Sequence, residues 1–349
     1  MLVHLRADGM SLVLDARGGR LPRVVHWGSD LELLSEAELS ELELAQTPAR
    51  SSGVPDQRIR LGILPEHGQG WPGQPGLRGH REGSAWSPLF TVTDIAREDD
   101  EQGTQGLRID AHDAEAELGF RLEIDLLPSG VLRLRSIVRN HGDSGYTLDG
   151  LVLALPVPRR ATELLDLTGR HLRERSPQRQ TFDIGARVRD SWRGRTGLDA
   201  TLLLTAGTPG FGFRSGEVWG IHVAWSGNHR TYAERLPSGE RVLAGGELLL
   251  PGEVRLESGE EYVSPSIWAS YGEGLDGMSS RMHSALRARA SHPRTARPVI
   301  LNTWEAVYFD HDYGKLAALA EAAATVGVER FVLDDGWFIG RRHDRAGLG

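Results

Sequence analysis

PVILNTW (298–304) and, one helical segment later, RFVLDDGW (330–337) decide the fold of the C-terminal part of the chain. Both are near-continuous apolar runs of strand length. Between them Asp312 stands where an N-cap belongs. Leu316, Leu319, Ala323 and Val326 follow on one helical stripe, and Gly327 sits where a helix-ending glycine belongs. The pattern predicts strand 298–304, helix 313–326 and strand 330–335. This is a strand–helix–strand unit whose parallel strands are buried on both faces. Polar residues end both strands: Asn302-Thr303-Trp304-Glu305 in the first, Asp334-Asp335-Gly336-Trp337 in the second. In parallel α/β folds ligands bind beyond the carboxyl ends of the strands, where loops converge. Carboxylates there can accept hydrogen bonds from hydroxyls, and an indole face can stack on the C–H face of a pyranose. Either tryptophan alone reads more simply as core packing. The whole set on two adjacent strand ends reads as a sugar site.

Working upstream, SHPRTARP (291–298) is a short linker rich in Pro and Arg, and GLDGMSSRMHSALRARA (274–290) carries Leu275, Met278, Met282 and Leu286 at helical spacing. Up to about Ser264 the chain reads as β structure. LRLRSIVRN (132–140) sets Leu132, Leu134, Ser136 and Val138 against Arg133, Arg135 and Arg139, a period of two with one wet face. ATLLLTAG (200–207) and VWGIHVAW (218–225) read as more deeply buried strands. PSG (128–130 and 237–239), HGDSG (141–145) and PGE (251–253) supply turns. Strand-sized segments at this spacing predict a large antiparallel sandwich. The acidic segment 33–46 is readable as a turn or two of helix or as loop. The expected organisation is a β-sandwich domain over 1–270, a helix and connection over 271–297, and a parallel unit over 298–349.

The 349 residues carry a net charge of −8, against a basic nucleic-acid-binding surface. With no cysteine, disulfides, thiolate metal sites and cysteine nucleophiles are excluded for this chain. Arg6, Asp8 and Asp15 interrupt the N-terminal apolar residues, so no signal peptide is expected. No window approaches the ~18 apolar residues of a membrane span. A cytoplasmic protein that binds neither membrane nor nucleic acid is the expectation. Asp310-His311-Asp312 and His343-Asp344 lack diagnostic metal-ligand spacing and read as solvated loop.

NTWEAVYFDHD (302–312) and FVLDDGWFIGRRHDRAGLG (331–349) resemble the start of the catalytic barrel of glycoside hydrolase family 36, the retaining α-galactosidases. ILPEHGQGWPGQPGLRGHR (63–81), DSWRGRTGLDATLLLTAGTPGF (190–211) and WSGNH (225–229) resemble the N-terminal β-supersandwich of its bacterial members. The resemblance implies a mainly β fold: supersandwich, linker helix, then the first β–α–β of a (β/α)8 barrel. It implies release of terminal α-linked galactose from oligosaccharides through a covalent galactosyl–enzyme intermediate, with no cofactor and no metal. Asp334 and Asp335 match the family's Asp-Asp pair on the galactose 4- and 6-hydroxyls, and Trp304 matches the tryptophan bounding the same subsite. Both catalytic aspartates lie on later barrel strands in the family, the nucleophile in a Lys-Trp-Asp motif absent here. The expectation is an N-terminal fragment, truncated early in the barrel, with no catalytic residue and no activity of its own. In tetrameric members a sandwich loop reaches a neighbouring subunit's site. Trp71 and Arg78 are the candidates for that contact, and a homotetramer is implied for the full-length protein. A surface loop without a ligand is the alternative for 65–81. For the whole chain, a non-catalytic carbohydrate-binding or interaction sandwich and a raffinose-type galactosyltransferase stay open.

Overall fold

The computed structural model describes residues 1–47, 59 and 61–347. These fall into two units, Met1–Arg289 and Ala290–Gly349. In the first, a three-stranded sheet (Leu2–Ala7, Met10–Asp15, Arg23–Ser29) accompanies a ten-stranded and a six-stranded sheet, and every strand pair is antiparallel. The ten-stranded sheet runs Arg173–Thr181, Glu163–Arg170, Leu203–Gly207, Glu217–Ala224, Ser266–Glu273, Val131–Asn140, Leu118–Leu126, Gln105–Asp113, Thr91–Arg97. Glu261–Val263 pairs with Val131–Asn140 beside it. The six-stranded sheet centres on Tyr146–Pro156, which pairs with Arg241–Glu247, Val254–Leu256 and Leu77–His80.

The strand Val131–Asn140 has the alternation its sequence predicts. Leu132, Leu134, Ser136 and Val138 are buried, and Ser136 is satisfied because its N–H donates to Ser264 Oγ at 3.0 Å. On the wet face Arg133 and Arg135 pair with Asp125 (2.8 Å) and Glu123 (2.6 Å), directly opposite on Leu118–Leu126. Exposed pairs of this kind contribute only ~0–1 kcal/mol each. Each apolar side chain on the dry face is worth about 1.5–3 kcal/mol, so burial sets the register.

The acidic segment resolves as a helix, Glu36–Gln46. Ser35 and Glu38 close a capping box, with Glu38 N donating to Ser35 Oγ and Ser35 N to Glu38 Oε2. Ser-x-x-Glu ahead of Leu39 was a readable start signal. The helix Gly274–Ala288 belongs to the first unit. Its inward stripe is Met278, Met282 and Ala285, with Leu275 partly buried beside it as expected; Met278 packs against Phe211 and Val218, and Ala285 against Val131 and Trp268. The expected stripe placed Leu286 inward, but Leu286 is exposed. The stripe runs i, i+4, i+7, which puts 286 on its margin. Gly272 makes this docking possible, since a Cβ there would stand 2.2 Å from Met278 N.

In the second unit Ile300–Asn302 and Arg330–Val332 pair in parallel, with Leu301 opposite Phe331. The helix Tyr313–Thr325 connects them. Asp312 caps it through Lys315 N (2.9 Å), and Gly327 follows in the left-handed region at φ 88°. Both strands are shorter than predicted. The expected burial on both faces is also not observed: Val299 is 56% exposed and Ile300 52%. Two strands and one connecting helix offer too little structure to cover both faces of a parallel sheet. Among the described residues no helix is long and apolar enough to cross a membrane.

Candidate functional site

The two parallel strands end side by side, and Asn302 ties the ends together. Its Oδ1 accepts from Trp304 N (2.8 Å), an Asx turn that lifts the chain off the strand, and its Nδ2 donates to Asp334 Oδ2 (2.6 Å). Thr303 N donates to Val332 O (3.0 Å), and its side chain is buried. Trp304 opens a single helical turn, Trp304–Val307, whose exit residue Tyr308 sits at φ 47°. The indole packs edge-to-face on Tyr308 and Phe309, at 5.3 and 5.0 Å between ring centroids.

Asp335 is held differently. Its Oδ1 accepts from Gly336 N (2.7 Å) and Arg341 Nε (2.9 Å), and its Oδ2 from Arg341 Nη2 (2.7 Å). Hydrogen bonding from the Arg341 guanidinium holds the Asp335 carboxyl below the usual carboxylate range. Arg341 is 8% exposed, gives Nη1 to the carbonyls of His343 and Ala346, and lies over the Phe309 ring at 5.3 Å. Gly336 has φ 92°, and a Cβ there would stand 3.0 Å from His311 and 3.1 Å from Phe309.

Trp304, Asp334 and Asp335 are therefore gathered at one end of the two strands. Asp334 is exposed, whereas Asp335 is half-buried under its Arg341 clamp. Trp337 is 68% exposed and packs edge-to-face on Phe338. The arrangement offers acceptor oxygens beside an aromatic edge, which suits a ligand rich in hydroxyl donors. Among the described residues no group of three His, Cys, Asp or Glu side chains is arranged to hold a metal.

The loop 65–81 lies in the first unit. Trp71, expected as an outward contact, is 2% exposed and packs with Val152, Ala154, Tyr232, Leu236, Val242 and Ala244. Its Nε1 donates to Gln74 O at 3.0 Å, so the loop satisfies the indole internally. A large apolar ring with its one donor satisfied gains more from the core than from water. Arg78 is exposed on the strand Leu77–His80. Beside them Glu66 is buried, accepting from Phe90 N (2.8 Å) and from Gln69 Nε2. A concavity of about 480 Å³ is bordered by Thr162, Glu163, Arg179, Phe182 and Arg235. Its Arg179 is committed to Glu163 (2.5 Å) and to the Phe211 ring (4.3 Å). Phe182 is buried, so that cleft presents little of its aromatic face to a sugar.

Burial raises the Glu66 carboxyl to about 7, well above an unfolded glutamate. Between about pH 4.5 and 7 the native state then holds a proton that the unfolded chain has released, so stability falls as pH rises through that window. The expected loss is on the order of 2–3 kcal/mol. Burial lowers the pKa of His26, His222 and His229, which act in the opposite direction. The difference between wild type and Glu66→Gln therefore isolates Glu66. Urea melts at pH 5 and 7.5 should show the variant losing less stability than wild type; equal losses would contradict the burial argument.

Residues 20–257 match the glycosyl hydrolase family 36 N-terminal domain, and residues 261–349 match melibiase. The chain belongs to glycosyl hydrolase family 36. An α-galactosidase from Escherichia coli is 37% identical to this family 36 chain over 329 residues, covering 93% of the chain and 45% of the relative. The crystal structure of GH36 α-galactosidase AgaA from Geobacillus stearothermophilus superposes with a TM-score of 0.87 at 24% identity, covering all of this chain and 52% of that one. An AgaA variant crystallised with raffinose gives 0.85 at 23%, covering 98% and 51%. These likenesses establish the fold, and the chain spans about half the length of the relatives it matches.

Asn302, Phe309 and Arg341 also belong to the candidate site; the sequence placed Asn302 at the strand end without a task of its own, and singled out neither Phe309 nor Arg341. Asn302 carried a faint signal, an Asn two residues ahead of Trp304 where Asx turns form. Arg341 carried none: with a single lysine among 40 basic residues, an additional arginine stands out from nothing.

Proposed function

We propose that this family 36 chain is the N-terminal portion of a retaining α-galactosidase. Trp304, Asp334 and Asp335 form part of its subsite for terminal galactose. The observation carrying the proposal is the convergence of two carboxylates, fixed as acceptors by Asn302 and Arg341, beside Trp304 at the ends of adjacent parallel strands. The strand pair opens a (β/α)8 barrel in this reading, and the missing walls of the subsite come from its later strands. The raffinose held by the AgaA variant and the activity named for the Escherichia coli relative support a galactose-containing oligosaccharide as substrate. Exposed Arg78 is the remaining candidate of the pair for a contact between copies in a homo-oligomer.

In the protein expressed from its own gene, Asp335→Ala should lower kcat/KM on p-nitrophenyl α-galactoside about 30-fold. That is roughly 2 kcal/mol, the loss when a buried hydroxyl gives up a charged acceptor. Undiminished hydrolysis by that variant would refute the subsite.

A further inference from the structure

We propose that Arg341 is a positioning residue that aims the Asp335 carboxylate at a ligand hydroxyl and joins that carboxylate mechanically to the Trp304 wall. The proposal rests on the galactose subsite described above. An ionised carboxylate has about four lone-pair sites. At Oδ1, Gly336 N and Arg341 Nε take two, and at Oδ2, Arg341 Nη2 takes one, with the Nε–H shared between Oδ1 at 2.9 Å and Oδ2 at 3.1 Å. One site on Oδ2 is left for a ligand, and its direction is set by the plane of the guanidinium fork. The fork is itself fixed from two sides. Nη1 is held by the carbonyls of His343 and Ala346, both at 3.0 Å. The guanidinium also lies over Phe309, whose ring meets the Trp304 indole at 90°. A rotation of Arg341 thus disturbs both the acceptor and the aromatic edge of the subsite. A lysine would supply the charge but neither the fork nor the flat face.

The test is a double-mutant cycle on the protein expressed from its own gene, reading the dissociation constant for galactose. Arg341→Gln should weaken binding about 10-fold, and Arg341→Lys should recover only about 2-fold of that, because one ammonium cannot replace two parallel bonds. Added to Asp335→Ala, Arg341→Gln should cost less than about 2-fold more, since residues acting through one contact are not additive. Should Arg341→Gln fail to fold, Arg341→Lys takes its place in both the single and the double variant. An Arg341 variant that binds like wild type while Asp335→Ala is weakened would overturn the positioning role and leave the subsite standing. A full further 10-fold loss in the double variant would also overturn it, since Arg341 would then act independently of Asp335. Asp335→Ala binding as wild type would remove the subsite itself.

Discussion

Purified residues 1–349 should leave p-nitrophenyl α-galactoside uncleaved, at no rate above a protein-free blank. Enzymes typically accelerate such chemistry by ~10⁶-fold or more, so the contrast with an intact family 36 α-galactosidase is large. Among the described residues the parallel sheet has two strands of three residues each. A (β/α)8 barrel closes with eight strands and ~250 residues. A retaining mechanism needs two carboxyl groups ~5–5.5 Å apart on opposite sides of the bond, one of them protonated to serve as acid. Asp334 and Asp335 are sequence neighbours already committed to Asn302 and Arg341, and Arg341 holds Asp335 ionised. Neither is placed to deliver a proton. Turnover comparable to an intact enzyme, surviving repurification, would mean that the reacting groups lie elsewhere in this chain.

Trp219→Ala should cost the first unit about 3–5 kcal/mol, the usual range for deleting a buried aromatic ring. Trp219 is fully buried in the strand Glu217–Ala224, opposite Ala206 on one side and Tyr271 on the other. Its Nε1 donates to Trp27 O at 3.1 Å, linking the ten-stranded sheet to the three-stranded one. Tyr271 packs on the ring at 5.4 Å and Arg160 lies over it at 5.2 Å, with Arg160 and the Tyr271 hydroxyl both bonded to Glu217. Truncation leaves a cavity, an unpaired buried carbonyl and a loosened Arg160. Trp219→Phe keeps most of the apolar area and should lose only about 1–2 kcal/mol. Urea denaturation of both variants reads this directly. A loss below about 1 kcal/mol for Trp219→Ala would mean that the two sheets are held together elsewhere. Domain stabilities are ~5–15 kcal/mol, so the expected loss is a large share of the total.

Much of the candidate site was legible because strand ends in a parallel unit are where ligand-binding side chains collect. Trp304, Asp334 and Asp335 were expected together on that ground and by resemblance, and they do lie at one end of the two strands. Trp71 was misread because exposure is a property of the surroundings. A tryptophan among glycines and prolines looks like a loop tip, yet Val152, Tyr232 and Val242 arrive from strands distant in sequence to enclose it. Arg341 went unseen because nothing local distinguishes a guanidinium that will bridge a carboxylate from one that will be solvated.

The sequence by itself determined what depends on period, turn chemistry and caps. These are the alternation of 132–140, the Asp312 cap with Gly327 behind its helix, and the order of antiparallel segments followed by a strand–helix–strand unit. Each is set by residues within a few positions of one another, where backbone geometry fixes which side chains share a face. Only the tertiary structure decided which strand pairs with which, that the loop 65–81 folds its tryptophan inward, and that Asp335 is half-buried under Arg341 while Asp334, held by Asn302, stays exposed. Those outcomes turn on burial and on partners brought together by the fold. The energy of a buried indole or a desolvated carboxylate depends on neighbours that no local window contains.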